Sequence, residues 1–392
     1  MLRYSQNVKE EKRYRNGQRM KIDQLATPCY VIDEEKLKNN LEILRRIEVE
    51  TGCKILLAQK CFSAFYEYPL IGSYISGTTA SGLFEARLGK EEMKKENHVF
   101  SPAYREEDMD ELAEICDHIV FNSFSQLEKY KDRCKGVSLG IRINPECSTQ
   151  EEHAIYDPCA PGSRLGVIAE HFREDLLSEV EGLHFHTLCE QNSDDLEITL
   201  KAVEEKFGKY LHQMKWLNFG GGHHITRNDY DIERLKKCIC HMRDTYDLQI
   251  YLEPGEAVAL NAGYLVATVL DIVENGISTL ILDASAACHM PDVLEMPYRP
   301  PLKDAGAANE KKYTYRISSF TCLAGDIIGD FSFDREIKIG DRLYFEDMAI
   351  YSMVKNNTFN GIPLPDIAVM EQDGNCKVIR HFGYEDFKNR LS

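Results

Sequence analysis

The length, composition and charge of this chain limit the classes of protein to which it can belong. Its 392 residues are 43% hydrophobic and 28% charged, with a formal net charge of -17, which is typical of a globular protein long enough for two domains. The acidic balance argues against nucleic acid and against an anionic membrane surface as partners, since both attract basic side chains. It is compatible with a cationic small-molecule substrate.

The cysteines and the amino terminus predict a cytoplasmic protein. The 13 cysteines follow no repeating frame and no zinc-like spacing, so we expect reduced thiols and no metal site. The first ten residues lack the apolar core of a secretory signal. No apolar run reaches the length of a membrane span.

Residues 27–262 are predicted to form alternating strands and helices, after a polar extension over residues 1–26. Short apolar runs bounded by turn residues indicate buried strands, and apolar residues at helical spacing indicate helices between them. The predicted strands are 28–33, 55–58, 77–81, 98–101, 118–121, 138–143, 182–186, 216–219 and 250–253. About eight such α/β units predict a closed, TIM-like (β/α)8 barrel, with an open doubly wound sheet as the alternative.

Residues 263–392 are predicted to form a second, all-β domain, because long helical patterns end there and strands separated by turns follow. The predicted strands are 265–273, 279–283, 313–317, 342–345 and 365–370. The polar, alanine-rich stretch 303–312 is predicted to be a mobile loop.

Lys60 lies just beyond the predicted strand 55–58. In an α/β barrel the chemistry is found at the carboxyl ends of the strands. A partly desolvated lysine there can form a Schiff base with an aldehyde. A solvated lysine at a strand end would occupy the same place, so Lys60 alone does not decide the function.

Three other motifs end predicted strands of the barrel. The run Gly220 to Gly222 offers backbone amides that can wrap a phosphate, although it could equally be an ordinary turn. Glu253, before a proline–glycine turn, is either a carboxylate at the barrel mouth or a turn cap. His186 is either a hydrogen-bonded core histidine or a flat ring for an aromatic cofactor, with His184 on the same strand face.

Together these motifs match the needs of pyridoxal phosphate. The cofactor requires an amine for its aldehyde, a ring to stack on, amides for its phosphate and a carboxylate for its pyridine nitrogen. That carboxylate keeps the nitrogen protonated, which makes the ring an electron sink. The sequence therefore predicts a pyridoxal-phosphate site at the carboxyl ends of the strands.

From about residue 27 to its carboxyl end the chain resembles the fold-type III pyridoxal-phosphate decarboxylases. These are alanine racemase-like barrel enzymes that include ornithine and diaminopimelate decarboxylases, and the resemblance implies that fold followed by a β domain. Within the family the chain is most similar to the branch that decarboxylates carboxyspermidine and carboxynorspermidine. The matching pieces are Leu57-Ala-Gln-Lys-Cys-Phe-Ser63, Ser163-Arg-Leu-Gly166, Asn218-Phe-Gly-Gly-Gly222, Glu253-Pro-Gly-Glu-Ala257, Cys322-Leu-Ala-Gly-Asp326, Met353-Val-Lys-Asn-Asn-Thr-Phe-Asn-Gly361 and His381-Phe-Gly-Tyr-Glu-Asp-Phe387.

The resemblance implies a role for each cofactor-binding residue. Lys60 would hold the cofactor through its amine, His186 would stack on the ring, and Glu253 would pair with the pyridine nitrogen. The glycines, together with Tyr351 from the β domain, would bind the phosphate. The implied cofactor-binding residues are thus Lys60, His186, Gly220, Gly221, Gly222, Glu253 and Tyr351.

The resemblance also implies a homodimer with shared active sites. In this family the segment around Cys322 comes from the partner subunit. Cys322 would lie on the far side of the cofactor and assist protonation after carbon dioxide leaves.

The chain departs from ornithine and diaminopimelate decarboxylases in ways that fit a cationic carboxy-polyamine substrate. Glu256 stands where those enzymes carry an arginine, which removes a phosphate ligand and adds a negative charge. The stretch after His186 is Thr-Leu-Cys-Glu instead of glycine–serine. The acidic candidates for binding the protonated amines of the substrate are Glu256, Asp283, Asp292 and Asp326. His289 and Arg299 lie in the same segment and receive no role.

Two alternatives remain open at this point. The chain could be another enzyme of the same fold, such as an ornithine, arginine or diaminopimelate decarboxylase or a racemase. It could also be a non-catalytic barrel that binds the cofactor or regulates a partner. The presence of both Lys60 and Cys322 favours an enzyme.

Overall fold

The computed structural model describes residues 19–150 and 154–392. They fall into two compact units, Asn39–Val258 and a second unit that joins the residues up to Lys38 with Ala259–Ser392. Most of the predicted amino-terminal extension, residues 1–18, lies outside the described residues. Residues 22–24 form a short 3-10 helix, and Met20 bridges to Cys376.

Strands and helices follow one another along most of the chain in the predicted order. In chain order the strands are β1 (Cys29–Asp33), β2 (Lys54–Ala58), β3 (Gly77–Ala80), β4 (Glu96–Phe100), β5 (His118–Phe121), β6 (Ser138–Arg142), β7 (Gly182–His184), β8 (Trp216–Asn218), β9 (Gln249–Leu252), β10 (Gly263–Glu274), β11 (Ser278–Leu282), β12 (Gly306–Ala307), β13 (Tyr313–Ser319), β14 (Ile327–Phe333), β15 (Arg342–Glu346), β16 (Asp366–Met370) and β17 (Cys376–Arg380). The helices are Glu34–Thr51, Tyr68–Ile71, Leu83–Leu88, Met109–Ile115, Phe124–Tyr130, Ser193–Leu211, Ile232–Tyr246, Glu256–Ala259, Ala286–His289, Asp292–Glu295, Ser352–Lys355 and Tyr384–Leu391.

The unit Asn39–Val258 is built on a closed barrel of eight parallel strands, β2 to β9. β2 pairs with β9, which closes the barrel and confirms it over the open sheet. The strands are short apolar runs, and β2 is buried from Ile55 to Ala58, because helices cover one side and the barrel interior fills the other. All eight carboxyl ends therefore lie at one mouth.

The first predicted strand exists but does not belong to the barrel. β1 pairs antiparallel with β10 and parallel with β16, in the sheet of the other unit. The predicted barrel domain 27–262 is corrected accordingly, since its first residues belong to the carboxyl-terminal unit and the barrel unit ends at Val258. All five residues of β1 are buried, and a fully buried apolar run does not reveal which sheet it joins.

The carboxyl-terminal unit contains a mixed nine-stranded sheet with the order β12-β14-β13-β11-β10-β1-β16-β17, and β15 pairs with β10. The prediction missed β14 and β17. The predicted mobile loop 303–312 contains β12, which pairs with β14, and it is held further by a Lys303 N–H to Tyr344 carbonyl bond of 3.0 Å. Short helices also interrupt this sheet-based unit.

All 13 cysteines are free thiols. Among the residues that the structure describes, none of the helices combines the length and the apolar character needed to cross a membrane.

Candidate active site

Four of the predicted site motifs lie at the same mouth of the barrel. Lys60 follows β2, His186 follows β7, the glycine run follows β8 and Glu253 follows β9. Lys60 is exposed, and its neighbours are fixed by Gln59 N–H to Thr79 O (3.2 Å) and Cys61 N–H to Ala58 O (3.0 Å). The amine therefore projects from an ordered turn at the barrel mouth.

His186 is held in one tautomer by the glycine run. The Gly221 N–H donates to its Nδ1 at 3.2 Å, so Nδ1 carries the lone pair and Nε2 carries the hydrogen. Burial lowers the pKa of His186 well below its usual value, and the positive charges of Lys60 and Arg142 lower it further. The ring is thus neutral and fixed in orientation, as a stacking platform for a flat cofactor requires.

The backbone of the glycine run lies so close to neighbouring backbone that side chains would not fit there. Gly222 has φ +81°, and a Cβ there would overlap the carbonyl oxygen of Leu188. The Gly220 N–H donates to Asn218 Oδ1 at 2.8 Å and the Gly221 N–H is taken by His186. Within residues 19–150 and 154–392, the Gly222 N–H has no protein acceptor, so it is the amide of the run available to a phosphate.

Glu253 is a buried carboxylate with a partner on each oxygen. Asn218 Nδ2 donates to Oε1 at 2.8 Å, and His184 Nε2 lies 3.2 Å from Oε2. Burial alone would raise the pKa of Glu253, but the adjacent His184 and the hydrogen bonds lower it below its ordinary value. Glu253 is therefore ionised and fixed, and His184 acts as the group that orients it.

Arg142 is a site residue that the sequence reasoning missed. It ends β6, is only 5% exposed, and donates from Nη2 to the His186 carbonyl at 3.0 Å. Its guanidinium lies 4.6 Å from the centroid of the Phe100 ring, and Phe100 in turn stacks on His184. A polar residue at the end of an apolar strand is the signal that singled out Lys60. It did not single out Arg142, because the predicted strand 138–143 runs one residue further than β6 does.

In the carboxyl-terminal unit, Cys322 is exposed on a loop that Asp326 organises. Asp326 is 1% exposed and accepts from Ser285 Oγ at 2.6 Å, from the Ala287 N–H at 3.1 Å and from Thr321 Oγ1. This carboxylate is engaged in holding its own loop. An amine of a substrate would have to compete with those donors.

The other predicted residues of this unit also have partners in the chain. Asp283 accepts from Thr27 Oγ1 at 2.6 Å and from the Thr268 N–H at 2.7 Å, and burial raises its pKa. Asp292 is paired with the Lys355 ammonium, which also lies over the Tyr351 ring at 5.5 Å.

His289 and Arg299 have structural surroundings. His289 is fully buried, with its Nδ1 accepting from the Ser285 N–H at 3.3 Å and its Nε2 lying 3.1 Å from the Pro363 carbonyl. Arg299 donates to the Gly306 carbonyl at 2.9 Å. Both side chains stabilise the carboxyl-terminal unit.

Comparison with known proteins shows which family the chain belongs to. Residues 29–349 match the family described as "Pyridoxal-dependent decarboxylase, C-terminal sheet domain". The carboxynorspermidine/carboxyspermidine decarboxylase of Campylobacter jejuni is 43% identical over 95% of this chain and 100% of its own. The carboxyaminopropylagmatine decarboxylase of Synechocystis is 42% identical over 95% and 97%.

One solved structure is similar to this chain over nearly its whole length. It is carboxynorspermidine decarboxylase from Campylobacter jejuni, complexed with norspermidine, with a TM-score of 0.89 and 43% identity over 93% of this chain and 100% of that one. The family expected from the motifs is confirmed. The chain belongs to the pyridoxal-dependent decarboxylases that include the ornithine, diaminopimelate and arginine enzymes.

Proposed function

We propose that the protein decarboxylates carboxyspermidine or carboxynorspermidine and releases spermidine or norspermidine, in polyamine biosynthesis in the cytoplasm. The observation that carries this proposal is the near-full-length similarity, at 43% and 35% identity, to two carboxynorspermidine/carboxyspermidine decarboxylases. It is supported by Glu256, which places a carboxylate at the barrel mouth, as a cationic substrate requires.

The barrel mouth fits pyridoxal phosphate. Gly222 leaves the space that a Cβ would fill, and its N–H has no acceptor among the residues that the structure describes. The neutral ring of His186 and the ionised carboxylate of Glu253 match the flat ring and the protonated nitrogen of the cofactor. Bound pyridoxal phosphate supplies an electron sink for the charge left when carbon dioxide departs.

The residues of the chain then have distinct tasks. Lys60 holds the cofactor through its amine, and Glu253 keeps the pyridine nitrogen protonated. His184 and Asn218 hold Glu253 in place. Tyr351 contributes to the phosphate site, and Cys322, from the partner of a homodimer, delivers a proton after carbon dioxide is lost.

Glu256 and Asp292 are the preferred ligands for the protonated amines of the substrate. Asp283 and Asp326 are less suited, because each already accepts hydrogen bonds from its own unit. Asp292 must exchange its Lys355 partner for the substrate amine.

A second candidate substrate is carboxyaminopropylagmatine. It is favoured by the Synechocystis relative, which is 42% identical to this chain. That substrate ends in a guanidinium where carboxyspermidine ends in an ammonium, so the two differ at the tail and share the reacting centre.

The test is a comparison of catalytic efficiencies. Carbon dioxide release should be measured with carboxyspermidine, carboxynorspermidine, carboxyaminopropylagmatine, ornithine, arginine and diaminopimelate. We expect one of the first two to be the best substrate. Higher efficiency with diaminopimelate or ornithine would refute the proposal, and cofactor binding without any turnover would support a non-catalytic homologue.

The role of Lys60 is tested on the protein itself. Lys60→Ala should abolish both turnover and the visible absorbance of protein-bound cofactor, because the amine is the covalent attachment point. Borohydride reduction followed by peptide mapping should label Lys60. A label on another lysine would contradict the assignment.

A further inference from the structure

Three side chains from three different loops converge at the barrel mouth. Glu190 follows β7, His224 follows β8 and Glu256 follows β9. One potential ligand atom from each lies within 4.8 Å of the other two. Of the three, only Glu256 was singled out from the sequence.

Backbone hydrogen bonds tie the Glu190 and His224 loops together. The residue after Glu190, Gln191, donates its N–H to the Gly222 carbonyl at 3.0 Å and accepts from the His224 N–H at 3.2 Å. The Glu190 carbonyl accepts from Arg227 Nη1 at 3.2 Å. Glu190 itself has φ +54°, a left-handed conformation that is strained for glutamate. These contacts fix the position from which the Glu190 carboxylate extends.

His224 directs a hydrogen-bond donor toward Glu256. Its Nδ1 lies 3.4 Å from Arg227 Nη1, and because arginine has only donors, Nδ1 must accept and Nε2 must carry the hydrogen. His224 is 8% exposed, and Nε2 has no hydrogen-bond partner among the described residues. It points to Glu256 Oε2 at 3.7 Å, just beyond hydrogen-bonding distance.

The tautomer of His224 argues against a metal ion in this cluster. A metal would need the Nε2 lone pair, which would place a hydrogen on Nδ1 facing the Arg227 guanidinium. An organic cation needs no imidazole lone pair. It would lie between the two carboxylates and reduce their mutual repulsion.

The cluster lies at the same mouth of the barrel as Lys60. Glu190, His224 and Glu256 follow β7, β8 and β9, and Lys60 follows β2, which pairs with β9. Burial, Glu190 and Glu256 raise the pKa of the Cys189 thiol to about 12, and Lys60 acts in the opposite direction. A cation held by the carboxylates would therefore be bound at the mouth that carries Lys60.

We propose that Glu190 and Glu256 together bind a protonated amine of the polyamine tail, with His224 positioning Glu256, so that Glu190 is a specificity-determining residue. This inference rests on the proposed function and deepens it. An ammonium group offers two or three N–H donors to the two carboxylates, in charge-assisted hydrogen bonds. The Nε2–H of His224 then holds the Glu256 carboxylate where it can bind the same ammonium group as Glu190.

The test measures binding of the product, spermidine, to the cofactor-loaded enzyme by calorimetry. Glu190→Gln keeps the shape and removes the charge, and should weaken binding by about tenfold to a hundredfold. Glu114→Gln, which makes the same charge change on an exposed site of a barrel helix, should bind as the wild type does. If Glu190 and Glu256 bind the terminal amine, a polyamine analogue that lacks this amine should have the same affinity for the wild type and for Glu190→Gln.

The positioning role of His224 has its own readout. His224→Gln retains an N–H donor and should weaken spermidine binding less than His224→Ala. Both should raise KM for carboxyspermidine more than they lower kcat, because binding of the tail is affected and the chemistry is not. Equal losses in kcat for the two variants would overturn the positioning role.

Two results would overturn the proposal. One is unchanged spermidine affinity, within about twofold, in Glu190→Gln. The other is stoichiometric Mn²⁺ binding that disappears in Glu190→Gln, which would assign the cluster to a metal. Glu190-dependent spermidine binding in an enzyme that releases no carbon dioxide from either carboxy-polyamine would instead refute the proposed function and leave the amine site standing.

Discussion

Glu253 is a charge buried in the barrel, and its neighbours explain how it is tolerated. An unpaired buried carboxylate would take up a proton. Here His184 and Asn218 each occupy one oxygen, which holds the pKa below its ordinary value despite burial. The residue is therefore an anion before any cofactor nitrogen reaches it.

Glu253→Gln tests this charge. The variant should lose at least about tenfold more in turnover than in cofactor affinity, because the charge matters most as the carbanion forms. Glu253→Asp keeps the charge and should retain more turnover. Equal losses in cofactor affinity, with normal turnover at saturation, would contradict the role.

The same residue predicts a feature of the pH profile. A carboxylate with a depressed pKa stays ionised as the pH falls through the ordinary glutamate range near 4.5. The contribution of the Glu253 charge to turnover is therefore present above that range and is lost only at more acidic pH. Titration of Glu253 should therefore cause no loss of turnover above pH 4.5 in the cofactor-saturated enzyme. The contrary result would be a fall in wild-type turnover above pH 4.5 that is absent from the profile of Glu253→Gln. Such a fall would mean that Glu253 titrates normally.

For single residues, the sequence was sufficient to predict which side chains lie at the ends of the barrel strands. The positions of Lys60, His186 and Glu253 at the barrel mouth were predicted because the end of an apolar run marks that mouth, and their roles stay predictions. Arg142 was missed because it lay inside a predicted strand. Asp326 was chosen for its charge, and its burial among Ser285 and Thr321 depends on contacts across the fold that no local pattern contains.

Among the elements, the loop after β8 depends on the glycine at position 222. Gly222→Ala combines a left-handed φ with an overlap on the Leu188 carbonyl, so the backbone must move. Gly136→Ala is the matched control, because Gly136 has φ +89° and open space around its Cβ position. The control should cost about 1 kcal/mol in the free energy of unfolding, and Gly222→Ala should cost more and also weaken pyridoxal-phosphate binding. The measurements are urea unfolding and cofactor titration, and equal effects of the two variants would contradict the argument.

The amino-terminal end of the barrel carries a polar cluster that the sequence reasoning did not identify. Glu96 on β4 lies 2.7 Å from Lys54 Nζ and 3.0 Å from His98 Nε2. His118, the first residue of β5, stacks on His98 with ring centroids 3.9 Å apart. Burial, together with the adjacent His98, lowers the pKa of His118 to about 3. This end of the barrel therefore favours a neutral imidazole.

His118 should make stability depend on pH. Its folded pKa lies below the unfolded value of about 6.5, so the unfolded chain binds more protons between those limits. Stability should then fall with decreasing pH, by about 1.4 kcal/mol per pH unit from this group. His118→Phe should reduce that slope between pH 6 and 4, in urea unfolding followed by the fluorescence of the single tryptophan, Trp216, which contacts His118. An unchanged slope would contradict the buried neutral state.

The alternation of strands and helices was enough to predict the barrel, but it could not assign β1. Periodicity reports whether a run is buried, while the choice of partner strand depends on contacts with β10 and β16, more than 200 residues away. The β12 segment was also misread, because polar composition alone does not show that a short edge strand will pair.

For the whole molecule, the proposed homodimer depends on the exposed loop around Cys322. Phe320 and Leu323 are 36% and 41% exposed on either side of the exposed thiol. Apolar side chains grouped on a surface are typical of protein interfaces. The buried Asp326 fixes the loop in this presentation, which supports the proposal that it docks on a second copy of the chain.

A shared active site predicts complementation between two defective subunits. Lys60→Ala and Cys322→Ala homodimers should each be impaired, but a hybrid dimer pairs the intact Lys60 of one subunit with the intact Cys322 of the other. An equal mixture with free exchange should recover up to about a quarter of wild-type activity, because half of the dimers are hybrids and each has one intact site. Exchange must be demonstrated separately, for example by native mass spectrometry of differently tagged subunits. Verified hybrids that stay as inactive as the parents would mean that Cys322 does not serve its partner's Lys60, and would leave the exposed loop to another contact.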